Sequence, residues 1–244
     1  MKKHLLLFAL LTAAAAAAAQ SYAFGLKGGL TVGSQRWSDF ERDPSYKMHG
    51  IAFIESADEE NNFSIFAQGG YHIKGSAMRN RTFQNPINGD LFRPPAYEFL
   101  FRNISLTVGG KQKFPFTGAG KLYYMLGVRG DYTLSTNLAQ YNDFNEQNPA
   151  YAIFPFDDRE FIREFNYGLT LGGGMELPFT ELVGMILELT VNPDFSLQYQ
   201  QPAIPNVTDP FTGTQRTLPE RKVRNLTLEL TLGFRFLHKI EYID

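Results

Sequence analysis

The chain has 244 residues, and its 23 Lys and Arg against 25 Asp and Glu give a formal net charge of -2, without the basic surplus that a nucleic-acid partner calls for. It contains no cysteine, which excludes disulfides, thiol nucleophiles, Cys-ligated zinc and a lipid anchor on cysteine. The 22 Gly, 22 Phe and 12 Tyr suit a chain whose apolar residues occupy alternate strand positions.

The first segment reads as an export signal. Met1-Lys2-Lys3-His4 is a basic start, residues 5 to 19 are apolar except for Thr12, and the Ala-x-Ala pattern favours cleavage after Ala19, with Ala23 as a second choice. Fifteen residues fall short of the ~20 that a transmembrane helix needs. The segment 1 to 19 is therefore read as a signal peptide and 20 to 244 as one barrel domain. Any membrane crossing by this chain is expected to use strands.

From Phe24 onward the dominant period is two. Phe24, Leu26, Leu30 and Val32 alternate with Gly25, Lys27, Gly29, Thr31 and Gly33, which gives one apolar row and one polar or small row. Less regular strands are expected over 47 to 55 and 63 to 74, the former without a settled facing. A fourth covers 97 to 110, where Arg102 falls in the apolar row and implies either snorkelling or a bulge. The fifth strand carries Leu122, Tyr124, Leu126 and Val128 against Lys121, Tyr123, Gly127 and Arg129. The sixth sets Phe165, Tyr167, Leu169 and Leu171 against Glu164, Asn166, Gly168 and Thr170. A seventh is expected from 183 to about 199, and the eighth alternates Leu226, Leu228, Leu230, Leu232, Phe234 and Phe236 with Asn225, Thr227, Glu229, Thr231, Gly233 and Arg235.

The connections alternate strictly between long (35 to 46, 75 to 96, 135 to 159, 200 to 221) and short (56 to 62, 111 to 120, 178 to 182). Eight strands that start and end on the short-turn side predict an all-β, antiparallel, up-and-down transmembrane barrel with long extracellular loops, short periplasmic turns and periplasmic termini. Its surroundings would be outer-membrane lipid, as a monomeric barrel. Aromatic residues near strand ends, Trp37, Tyr71, Tyr97, Phe165, Tyr199, Phe234 and Phe236, are candidates for the interfacial girdle, with ordinary packing as the alternative.

An eight-stranded bore is filled by side chains, so charges in the polar rows must pair. Lys27, Arg129, Asp131, Glu164, Glu188 and Glu229 are expected to form a lumenal salt-bridge network, and a narrow proton or ion path through them is the functional alternative. His49 and His72, with Ser64, Ser76 and Glu55 as nearby partners, are the thin case for lipid-modifying chemistry. No nucleophile elbow and no metal-spaced histidine pair accompanies them. No catalytic residue, metal or cofactor is assigned.

Several segments in order carry a resemblance: Phe24 to Leu30, Phe63-Ser64-Ile65 with Gly70 to Ser76, Lys121 to Gly127, Tyr167 to Pro178, and Leu232-Gly233-Phe234-Arg235-Phe236. Together they resemble the porin-like or PorT-like outer-membrane barrels of Bacteroidota. The resemblance implies an eight-stranded barrel, for most relatives without a defined activity and for some with a part in protein secretion. The sequence reading is thus a plugged structural or interaction barrel whose long loops contact a protein or surface ligand. A small-solute channel, a secretion component and a lipid-modifying enzyme are the alternatives.

Overall fold

Strict alternation of apolar and polar residues gives each strand one face suited to hydrocarbon and one that must find polar partners, and closing the sheet separates the two faces. The computed structural model describes residues 21–37, 42–57, 62–79, 82–84, 89, 91–92, 96–147, 154–209 and 212–239. The expected export segment, residues 1 to 19, lies outside them.

Eight strands form the wall: β1 (Tyr22–Trp37), β2 (Asp43–Ser56), β3 (Phe63–Met78), β4 (Tyr97–Pro115), β5 (Lys121–Thr136), β6 (Phe165–Pro178), β7 (Val183–Pro193) and β8 (Arg221–His238). Each pairs antiparallel with its sequence neighbour, and β8 returns to pair with β1 from Tyr22↔His238 to Trp37↔Val223. The ring is closed, so no strand edge is left open in the wall. Leu26, Leu106, Val128, Leu189 and Leu230 are among the many apolar side chains that stand outward and exposed. Facing hydrocarbon, such a belt carries no hydration penalty. Among the described residues no helix is long and apolar enough to cross a membrane.

Three features differ from the sequence reading. The β4 strand runs five residues past Gly110 to Pro115, so Lys111 and Lys113 belong to its inward row rather than to a turn. The β7 strand stops at Pro193 instead of near Tyr199: the ladder with β6 ends at Leu171↔Val191, where the proline offers no N–H to extend it, while Asp194 N–H still reaches the Asn225 carbonyl of β8 at 3.1 Å. At Arg102 the expected bulge is present: the β4–β5 register shifts between Arg102↔Ser135 and Asn103↔Thr133, skipping Leu134, and the half-exposed Arg102 reaches the Ser135 hydroxyl at 3.4 Å. The facing of β2, open from sequence, is settled by burial, with Ser45, His49, Ile51, Phe53 and Glu55 inward.

The strand ends Ser56 and Phe63, Pro115 and Lys121, and Pro178 and Val183, between which the short connections run, share one end of the ring with Tyr22 and His238. At the other end the chain adds a short strand, Tyr199–Gln201, paired with the start of β8, a hairpin of Ile204–Thr208 with Gln215–Leu218, and a 3-10 turn, Leu138–Tyr141, that leads into a short helix, Asn142–Gln147. These pieces sit over the long-loop mouth.

Candidate functional site

The bore is built in tiers. Nearest the short turns, the buried Glu55 carboxylate on β2 accepts from Lys111 Nζ at 2.7 Å and Lys113 Nζ at 2.5 Å, both from β4. Lys113 also lies 2.9 Å from Glu176 on β6, while Arg235 Nε of β8 stands 3.8 Å from Glu176 and 3.9 Å from Glu55. One step up, Lys27 on β1 donates to Glu188 on β7 at 2.6 Å, and Tyr123 donates to the second oxygen of Glu188 at 2.8 Å. Lys27 reaches across β8 at Gly233, where a Cβ would collide with Lys27 itself. Phe53, Phe66, Tyr123, Met125 and Ile186 fill the rest of this level, with Lys111 Nζ 4.7 Å from the Tyr123 ring centre. The lysine is thus held by carboxylates and aromatic faces together.

In the third tier Glu229 pairs with His72 Nδ1 at 2.7 Å. The His72 ring stacks on His49 with centroids 5.5 Å apart, and the two nitrogens of His49 each lie 2.9 Å from a hydroxyl, Thr31 and Thr231. The fourth tier centres on Asp194, just past β7. Its carboxylate takes Lys74 Nζ at 2.9 Å, Asn225 Nδ2 at 3.0 Å and the Arg129 guanidinium. Lys74 and Arg129 also share Asp131, at 2.8 and 3.0 Å. A hydrogen-bonded run of Asn225, Gln35, Ser76 and the Trp37 indole leads upward from there.

An aromatic layer closes the long-loop end. Trp37, Phe99, Phe101, Leu138, Tyr141, Phe154, Tyr199 and Val223 pack together in the interior. The Arg42 guanidinium lies 4.3 Å from the Trp37 ring centre and 4.5 Å from that of Phe99. Tyr141 donates to the Glu98 carbonyl at 2.7 Å, and burial pushes its phenol up to about 12. The Tyr199 phenol, donating to the Phe156 carbonyl, is likewise raised by burial.

Of the six charges read from sequence, Lys27 and Glu188 meet directly and Arg129 meets Asp131. Glu229 faces the bore, but its direct partner is a histidine, and its tier is separate from that of Lys27. Glu164 is corrected: the β5–β6 ladder ends at Tyr132↔Phe165, the chain bends there, and the exposed Glu164 accepts from the Tyr132 hydroxyl at 3.1 Å on the outer wall. Three girdle candidates are corrected too. Trp37 and Tyr199 are buried in the aromatic layer, and Tyr97 packs against it, 4.8 Å from the Phe154 ring. Trp37 has the same strand parity as the inward Lys27, so its ring turns into the bore. Tyr71, Phe165, Phe234 and Phe236 stand outward and exposed. Four charged residues that the reading left out of the network, Glu55, Lys74, Lys111 and Lys113, sit on inward rows that strand parity reveals once the ends of β2, β3 and β4 are known. Asp194, one residue past β7, continues the inward parity of Glu188, Thr190 and Asn192 and belongs to the network by that same alternation. Among the described residues no group of His, Cys, Asp and Glu is arranged to hold a metal ion.

A closed eight-stranded ring, greasy outside and ion-paired within, is the build of an integral outer-membrane barrel. The chain belongs to the family defined by the outer membrane protein beta-barrel domain, whose model matches residues 18–200. No curated protein matches the sequence. Among solved structures it is similar in fold to Neisserial surface protein A at 11% identity, covering 88% of this chain and 96% of that one, with a TM-score of 0.48. It is also similar to OprG of Pseudomonas aeruginosa, at 9% identity, 89% and 96% coverage and a TM-score of 0.45. The outer membrane protease OmpT of Escherichia coli stands at 8% identity, 89% and 97% coverage and a TM-score of 0.45.

Proposed function

We propose that this protein is a closed, non-catalytic barrel, anchored as a monomer in outer-membrane lipid, that presents its long-loop end to the cell exterior for contact with a protein or surface ligand. The observation that carries this reading is the continuity of the filling, with four tiers of paired polar side chains, three of them ion pairs of Lys or Arg with carboxylates, followed by an aromatic layer along the bore. A solute would have to displace buried charges from their partners to pass, at a cost of several kcal/mol per stranded ion. In this reading residues 1 to 19 act as a cleaved signal peptide, and the short turns and both ends of the wall face the periplasm. The sequence resemblance supports kinship with the PorT-like barrels of Bacteroidota, and a part in secretion would be exercised through the loops. The His72–Glu229 pair does not favour lipid chemistry, since both side chains are buried inside the bore, away from lipid.

The absence of cysteine makes the orientation directly testable. Single cysteines at Asp158 or Thr212, in the long-loop end, should react with a membrane-impermeant maleimide on intact cells, and one at Gly118, in a short turn, only after the outer membrane is opened. Labelling of the Gly118 variant alone on intact cells would reverse the orientation and remove the case for a displayed loop surface.

A further inference from the structure

The short-turn mouth of the bore holds a cavity of about 170 Å³ that the tiers do not explain. Lys113, Lys121 and Arg235 line it, and Glu176 is the one carboxylate among the described residues that do so, which leaves the described walls with more positive than negative charge. Beside it, Lys111 and Lys113 hold Glu55 at close range, and Lys113 bonds Glu176 through Oε2 at 3.2 Å, while the buried Glu176 Oε1 makes no hydrogen bond. Arg235 stays 3.8 Å or more from either carboxylate, and its buried Nε makes no hydrogen bond. Ser64, only 4% exposed, also lines the cavity, with an Oγ that lacks a hydrogen-bond partner. A buried donor left unmet is costly, and a guanidinium fork matches the paired oxygens of an oxyanion.

We propose that this mouth is a binding site for a phosphate group, taken between Arg235 and Lys113, with Ser64 donating from the wall and Lys121 drawing the anion in from the rim. The volume, several times the ~30 Å³ of one water, admits a phosphate with part of its hydration. Three turns frame the entrance through Ala57, Ala119 and Pro178, so the ligand enters from the short-turn face. The phosphate is supplied either as a free small solute or as the headgroup of a lipid in the adjoining leaflet. The inference is independent of which way the barrel is inserted.

The test uses the refolded chain in zwitterionic micelles at about 0.15 M salt, where long-range attraction is screened beyond about 8 Å. Inorganic phosphate is titrated by calorimetry, and in a second arm the barrel is taken from nanodiscs containing phosphatidylglycerol and its retained lipid is weighed by native mass spectrometry. Saturable one-to-one phosphate binding that Arg235→Gln weakens by about tenfold or more supports a free solute. Retained anionic lipid that Arg235→Gln releases, without phosphate binding, supports a headgroup. Lys121 has no ion pair within the described residues, so Lys121→Gln leaves the fold intact and carries the comparison, as a smaller loss of binding, if Arg235→Gln does not refold. No binding in either arm, or binding that neither substitution weakens, overturns the proposal.

Discussion

Asp194 shows how one carboxylate can hold several strands. Lys74 from β3, Arg129 from β5 and Asn225 from β8 all converge on it, and it is 2% exposed. Removing one partner of a buried ionic cluster leaves the others charged and dry, which costs about 3–5 kcal/mol, whereas trimming a lipid-facing side chain leaves no such debt of solvation. Asp194→Ala should therefore destabilise the barrel far more than Leu228→Ala in a denaturant titration in detergent, and near-equal losses would contradict the network. Glu229→Ala should fall between the two, because its direct partner is a single histidine rather than a lysine and an arginine together. Trp37 gives a second test at this scale, being the one tryptophan of the chain. Its indole N–H donates to Gln35 and Ser76 inside the bore. Its emission should be blue-shifted and untouched by brominated lipid, while strong quenching by that lipid would return it to the girdle.

At the scale of elements, the alternation that defines β1, β5, β6 and β8 was legible because lipid outside and charge inside impose a period of two with few exceptions. The facing of β2 was not, since Met48, Ile51, Phe53 and Ile54 place apolar residues on both of its faces. The cause is visible in the bore, where Phe53 and Ile51 belong to the packed interior beside Lys27. The limits of β4 and β7 were misread for a related reason. Lysines near a turn look solvated, although Lys111 and Lys113 are buried, and a proline that ends a ladder cannot be told by pattern alone from one within a loop. Trp37, Tyr97 and Tyr199 fit a girdle and interior packing equally by ring content, and for Trp37 the parity it shares with Lys27 separates the two. This layer also carries a pH dependence. The neutral phenols of Tyr141 and Tyr199 are favoured by the folded state, so their raised titration leaves the layer intact below about pH 10, the ordinary tyrosine range, and weakens it as pH rises through about 12. Trp37 emission should hold steady to about pH 10 and then shift red before the wall unfolds, and a red shift beginning near neutrality would contradict that cause.

At the scale of the whole molecule, ring closure, the apolar outer belt and the ionic bore are consequences of one pattern read in two directions. The closed wall satisfies the backbone, which is what allows strands to stand in hydrocarbon. The inward rows then carry charges that an eight-stranded bore is too narrow to leave hydrated. Fold and location follow from that balance, whereas the proposed loop contact does not, because the alternation of the wall places no constraint on loop residues. The most direct measurement of the central claim is single-channel conductance of the refolded chain in a planar bilayer, with a heat-dependent gel shift to show that it is folded. The account predicts a clear gel shift with no steady conductance, and Asp194→Ala, if it still folds, should be the variant that leaks. Stable, ion-selective conductance by the unaltered chain would contradict the account and make the tiered charges a pathway rather than a seal.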